Sequence, residues 1–498
     1  MNKRIFLIVL TIFLTNTLSG QELNDFFSTL FKNNMFNGSA VVSKSGEKVF
    51  SNSFGFSNIE KKEEINNNSQ FPIASISKTF TATAILQLKQ KGELKIDDPV
   101  QKYLQDFPYP NVSIRHLLSN TSGLAQYYHL FDSIIKEQPE KIISNQDIIP
   151  ALIRDKIPLS FSPGNKWDYN NVNFCLAALI VEKISGISFA DYLEKNIFKP
   201  AKMKDSFLPK NRKIKKSNQV ELYTYPNWYS TNLVNVENLK EAFLIDEKSN
   251  FYGNGGIVST ALDLNKYQNA LFTYQLLDKK ELEEALTPTK LNDGKIVTYR
   301  LDEKEVTYGL GWEIYTDERN GKIVFHDGSI TGLTSILMHN IAKNQTVILL
   351  SNTGSSSVFA ASNAVLQLID NKPYAIPAPN LARIYGNMLE NGNKEKGDRL
   401  IADYLKNPSN YTITERDFNR LGYEFLRLQK SDNALRTFYS ATLLFPNSSN
   451  VYDSYGEALL KYGKKEDAIK MYQKSVELNT ENANAKEMID KIEKLLKK

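Results

Sequence analysis

The chain has 498 residues, 41% of them hydrophobic and 23% charged, a globular balance with enough apolar material for more than one core and a length that fits two domains. Its net charge of +5 is spread over 61 basic and 56 acidic residues, without the concentrated basic stripe that a phosphate backbone demands, so nucleic acid is excluded as a partner. A single cysteine excludes an internal disulfide.

The N-terminus carries Lys3 and Arg4, an apolar run from Ile5 to Leu14, then small and polar residues around Thr17, Ser19 and Gly20. This reads as a secretory signal peptide over 1–20, cut near Ser19 or Gly20. The run is about half the roughly 20 residues a spanning helix needs, so a retained anchor is the weaker reading and no stable membrane span is expected after cleavage. No cysteine lies near the cut to take a lipid. A secreted or periplasmic location follows as an expectation.

Residues Ser39 to Phe56 alternate apolar and polar positions around Ser45-Gly46, which predicts a β-hairpin. From Phe71 to Ile184 the spacing turns helical, as in TATAILQLKQKG and NFCLAALIVEKISG, each closed by glycine. Cys175 lies in the second of these runs and reads as packed core. Lys322 to His326, Leu333 to His339 and Thr346 to Ser351 predict three strands. Strand-rich ends around a helical middle predict an α+β or α/β sandwich over residues 21–371.

The stretch KPYAIPAPN contains Pro373, Pro377 and Pro379, which forbid a continuing helix, and marks a linker over 372–380. Beyond it, over 381–498, Gly422 matches Gly456, Phe425 matches Leu459, Ala434 matches Ala468, Phe438 matches Tyr472 and Ala441 matches Ser475, all 34 residues apart. That is tetratricopeptide spacing, although the usual tryptophan is absent and Thr480 stands where Pro446 would repeat. Leu381 to Leu405 reads as a degenerate third pair and Ala485 to Leu496 as a capping helix. A helical bundle with fortuitous periodicity is the alternative. Such repeats would bind a protein segment or pack against the preceding domain, and the sequence leaves both open.

Ser75-Ile76-Ser77-Lys78 fits S-x-x-K, which at the start of a helix puts the lysine amine beside the serine hydroxyl. The pattern recurs at Ser45 to Lys48 and Ser133 to Lys136, but only Ser75 leads into a long Ala- and Leu-rich helix, where its own N–H is free for an oxyanion. A serine hydroxyl needs a base, and none of His116, His129, His326 and His339 stands in a G-x-S-x-G setting. Tyr169-Asn170-Asn171 offers a phenol whose pKa the Lys78 ammonium would lower, with Asn171 orienting Lys78 and the substrate amide. Tyr-x-Asn recurs at Tyr225, Tyr267 and Tyr385, yet only Tyr169 follows Pro163-Gly164 and precedes an apolar helix. In His326-Asp327-Gly328-Ser329, Gly328 admits a substrate backbone and the Ser329 N–H can complete an oxyanion hole. Asp327 reads as a turn residue, and Trp167, Trp228 and Trp312 as core. No metal-ligand spacing is present and no cofactor is expected.

Taken in order, Ser75-x-x-Lys78, Tyr169-x-Asn171 and His326-x-Gly328 resemble the three active-site motifs of the serine β-lactamase (class C) and D,D-peptidase family. Flanking phrases agree: KGELKIDDPVQKYL from Lys91, IRHLLSNTSGL from Ile114, GNGGIVSTALDL from Gly253 and YGLGW from Tyr308. The resemblance covers roughly 35–355. It implies an antiparallel sheet flanked by helices with an all-helical subdomain, and acyl transfer through a Ser75 ester. Two departures stand out. Lys-Thr-Gly, usual at the third motif of β-lactam-binding members, is replaced by His326-Asp327-Gly328, a poorer carboxylate site that points to esterase or D-amino-acid peptidase branches. Asn120 replaces a histidine of many relatives and is expected to be structural. The primary reading is therefore an exported serine hydrolase acting on a small-molecule or peptide acyl substrate. The rival is a non-catalytic sensor or scaffold that binds a cell-wall or peptide ligand and docks a protein through its repeats.

Overall fold

The computed structural model describes residues 20–496 apart from 139, 211–217, 240–248, 303, 356 and 409–410; the expected signal segment, Gly20 excepted, lies outside the described residues. The chain divides into two units, one of residues 1–224 and 235–377, the other of 225–234 and 378–498.

The first unit is built on one eight-stranded antiparallel sheet. Its strands are β1 (Gly38–Lys44), β2 (Glu47–Phe54), β3 (Tyr299–Leu301), β4 (Lys304–Tyr308), β5 (Glu313–Asp317), β6 (Gly321–Ile330), β7 (Leu333–Asn340) and β8 (Gln345–Ser351), in the spatial order β2-β1-β8-β7-β6-β5-β4-β3. The expected hairpin is β1-β2, turned by Ser45 and Gly46, both at positive φ, as two-residue hairpin loops require. Pairing of Gly38 with Ser351 through Lys44 with Gln345 joins the beginning of the unit to its last strand. The three late strands of the sequence reading are β6, β7 and β8. Strands β3 to β5 escaped it because they are short and carry charges at five of their thirteen positions.

Both sheet faces are covered, so β8 is buried along its whole length instead of alternating. Val347 and Leu349 meet Leu23, Phe26, Phe27 and Leu30 of α1 (20–32) and the later helix Val358–Leu368. Ile348 and Leu350 face the larger core, which holds α2 (Ser77–Gln90) and α3 (Asn171–Ser185). The middle of α3 is apolar all round because protein surrounds it, and Cys175 is core as expected, 1% exposed. No single helix among the described residues is long and apolar enough to cross a membrane.

Among the described residues the second unit holds seven helices: α4 (Leu381–Glu390), α5 (Lys394–Lys406), α6 (Glu415–Arg427), α7 (Ser431–Leu444), α8 (Ser449–Lys461), α9 (Lys465–Leu478) and α10 (Ala483–Leu496). The 34-residue repeat is a repeated contact. A Cβ on Gly422 would lie 2.5 Å from the Phe438 ring, and one on Gly456 would lie 3.1 Å from the Tyr472 ring. The sequence reading left 225–234 in the first domain; its residues pack in the second unit, where Tyr229 lies 4.9 Å from Phe425 and the Arg383 guanidinium stacks 3.4 Å over Tyr225. Because Phe438 is fully buried, Phe438→Ala should destabilise this unit by about 3–5 kcal/mol, seen as a separate, earlier transition when the full chain is melted in urea.

Candidate active site

Ser75 sits in a 3₁₀ turn, Ala74–Ile76, that runs directly into α2. Ala74 has a φ of 45°, a left-handed conformation that costs a non-glycine residue about 1–2 kcal/mol and is held only where the surroundings impose it. They do so through Ile73, whose N–H donates to the Ile257 carbonyl at 2.9 Å and whose carbonyl accepts from Ser335 Oγ at 3.1 Å. The turn leaves Ser75 half-buried, one helical turn before Lys78.

Lys78 is fully buried. Its Nζ lies 2.9 Å from Ser75 Oγ, 2.8 Å from Asn171 Oδ1 and 2.8 Å from the Asn254 carbonyl. Two of these partners can only accept, while the third is a hydroxyl that can donate. A neutral amine has two N–H bonds and one lone pair. The two oxygens satisfy its hydrogens, and the lone pair is left facing Ser75 O–H. Burial pushes Lys78 down to about 7, outweighing the attraction of Cys175, Asp327 and Glu313. The GNGG phrase thus has a concrete role, since Asn254 belongs to it.

Tyr169 lies on the segment before α3. Its neighbours are clamped by 120–126: Asp168 N donates to the Asn120 carbonyl at 2.9 Å, Asn170 N to Asn120 Oδ1 at 3.1 Å, and Gln126 Nε2 to the Tyr169 carbonyl at 2.8 Å. Asn120 also accepts from Asn173 Nδ2 at 3.0 Å, so it is structural. The Tyr169 hydroxyl reaches Ser75, and Lys78 Nζ lies 4.8 Å from its ring centre. The expected lowering of the phenol is reversed: burial holds Tyr169 well above its ordinary value, outweighing its hydrogen bond with Ser75. The perturbation that the sequence reading placed on Tyr169 falls on Lys78.

The third motif lies on β6, where pairing with β5 ends at Phe325. A Cβ on Gly328 would come within 2.5 Å of the Ile73 carbonyl and 3.1 Å of Ala74 Cβ, so only glycine lets β6 pack against the serine turn. Ser329 is exposed beside it, opposite Thr334. His326 was expected at the substrate, but it is completely buried. Its Nδ1 lies 2.6 Å from the Asp327 carbonyl, and its Nε2 3.3 Å from the Tyr308 hydroxyl. A neutral ring donating from Nδ1 accepts at Nε2, and burial keeps it neutral by lowering it to about 3. His326 therefore braces the site from below.

Three residues around the site carry weight that the sequence reading missed. Glu313 is 5% exposed and directly follows the YGLGW phrase. Burial, with Asp327 adding to it, pushes its carboxyl well up; burial raises Asp327 as well, and the two carboxyl groups are hydrogen-bonded to each other. Asp327 is an actor in the site's electrostatics, not a turn residue: it lies within a β-strand, and its charge acts on Lys78 and Tyr169. Trp167 is half-buried, stacked on Tyr299 at 4.7 Å and 6.5 Å from Tyr169, whereas Trp312 is core as expected. Glu313, His326 and Asp327 also bring ligand atoms within 4.8 Å of one another. That grouping is invisible as a sequence spacing because β5 and β6 create it.

Comparisons with known proteins show the family and the fold. The family model described as Beta-lactamase matches residues 23–371. Penicillin-binding protein 4* of Bacillus subtilis (strain 168) is 32% identical over 362 residues, covering 72% of this chain and 77% of its own. The crystal structure of a penicillin binding protein from Bacillus halodurans is 27% identical, with a TM-score of 0.58 over 68% of this chain and 99% of that one. A D-amino acid amidase from Ochrobactrum anthropi, 22% identical, shares the fold with a TM-score of 0.58 over 70% of this chain and 99% of its own.

Proposed function

This chain belongs to the β-lactamase family of serine hydrolases, and from that premise we propose that it is an exported hydrolase that acylates Ser75 with an ester or peptide-like amide. The observation that carries the reading is the buried Lys78 amine, poised near 7 with its lone pair on the serine hydroxyl. Ser75 Oγ attacks the acyl carbon while its proton passes to Lys78. The oxyanion is held by the N–H groups of Ser75 and Ser329. Tyr169 gives its proton to the departing group and takes one back from Lys78, which restores the free amine. Water then follows the same path in reverse, with Lys78 as base and Ser75 as leaving group. Asn171 orients both Lys78 and the substrate. Efficient β-lactam hydrolysis is not part of the proposal, since a penicillin carboxylate would find the neutral His326 in place of the lysine cation, with Asp327 next to it. The helical unit, read as tetratricopeptide-like repeats, is proposed to dock a protein segment.

Intact-mass measurement after brief incubation with a short-chain aryl ester, and separately with a penicillin, tests the reading. Expected is ester turnover or an acyl adduct that peptide mapping places on Ser75, with little penicillin adduct. A long-lived penicillin adduct would move the protein to the penicillin-binding peptidases, and no reaction at Ser75 with either compound would refute the proposal.

A further inference from the structure

We propose that Asp327, backed by Glu313, selects substrates that carry an ammonium group near the scissile carbonyl, such as aminoacyl esters or amides with a free amine. The inference rests on the acyl-transfer reading and names the substrate class of that same site. Gly328 packs against the serine turn, and the preceding residue, Asp327, is part-exposed between two buried neighbours and close enough to act electrostatically on Lys78 and Tyr169, the two groups that reach Ser75. Its carboxylate lies within 4.8 Å of a Glu313 oxygen. Among the described residues no lysine or arginine forms an ion pair with either acid. Lys78 is a cationic side chain whose charge acts on both, but its three contacts go to Ser75, Asn171 and Asn254. His326 Nδ1 is 3.9 Å from Glu313, but its imidazole is neutral and turned to the Asp327 carbonyl.

A carboxylate flanked by buried residues and left without a cation is costly and is usually compensated by a partner. Here the partner can arrive with the substrate. Aromatic rings cluster within reach of the Asp327 charge, which acts on Tyr169 and Tyr308: Trp167 lies 5.9 Å from Tyr308, and Tyr169 lies 6.3 Å from Tyr308. Aromatic faces beside a carboxylate suit an organic ammonium, which gains from the ring quadrupole as well as from the charge. A carboxylate in the same place would be repelled. The bound ammonium would also hold Lys78 in its neutral, base-competent form, so recognition and activation reinforce each other.

Phenyl esters of alanine, of either hand, should be compared on the full chain with their N-acetyl and N-succinyl derivatives, with and without EDTA. The free amine is expected to be preferred over the N-acetyl ester by about 10²-fold in kcat/KM, with the N-succinyl ester poorest. Asp327→Asn should bring the first ratio to within about threefold, mainly through KM, and Asp327→Lys should reverse the order. Alaninamide and N-acetylalaninamide titrated into the Ser75→Ala protein give the same comparison without chemistry. Amine-selective binding without turnover of any ester would refute acyl transfer and leave the subsite standing. Turnover without amine selectivity, selectivity that survives in both Asp327 variants, or selectivity abolished by EDTA would overturn the subsite. Neither turnover nor binding would overturn both.

Discussion

Ser75→Ala and Lys78→Met should each lower kcat/KM on a neutral aryl ester by about 10⁴-fold or more, and the double variant should fall no further, because nucleophile and base act as one unit. Methionine is the informative replacement: it keeps the volume of the buried stem while removing the amine. It leaves Asn171 Oδ1 and the Asn254 carbonyl without their donor, at about 1–3 kcal/mol each, but it also removes an amine that is costly to bury. A modest change in melting temperature is therefore compatible with a large loss of rate. The pH profile of the wild type carries the same argument. Lys78 works as a base only when unprotonated, and burial brings it to about 7. Activity should be low below that pH, rise through it and level off above. An amine with its ordinary value would keep the rate climbing towards pH 10. The N-acetyl ester is the substrate for this profile, since a free amine titrates in the same range.

Much of the fold and the pairing of Ser75 with Lys78 at the candidate site were legible in the chain, because motif spacing along one helix needs no long-range information. Ser75 and Lys78 are three residues apart, and the helix alone brings them together. Tyr169 and Asn171 were legible as a motif, but their electrostatics were not. Whether an ammonium lowers a phenol or burial lowers the ammonium depends on how completely both are covered, and coverage comes from distant segments: Asn254, Glu313 and the 120–126 clamp. His326 illustrates the same limit. Its place in the third motif suggested substrate contact, while strand β6 turns the ring inward towards Tyr308. The 225–234 segment was unreadable for another reason. Its Tyr229 looks like any core aromatic until Phe425, nearly two hundred residues later, is brought to it.

Tyr169→Phe separates the two candidate bases. Tyr169 is held well above its ordinary value by burial, so it keeps its proton at neutral pH and, in the proposed mechanism, serves as donor and relay. Loss of a positioned proton donor should lower kcat/KM by about 10²–10³-fold. The acid limb near 7 should survive in the variant, because it belongs to Lys78. Were the phenol the base, the limb would disappear with it. The size of the loss should also depend on the leaving group. An aryl oxide departs readily without a proton, whereas an alkoxide or an amine does not. Tyr169→Phe should therefore cost an alkyl ester or an amide at least about tenfold more than an aryl ester. Equal losses on all three would place Tyr169 in serine activation alone and leave leaving-group protonation to the Lys78 ammonium.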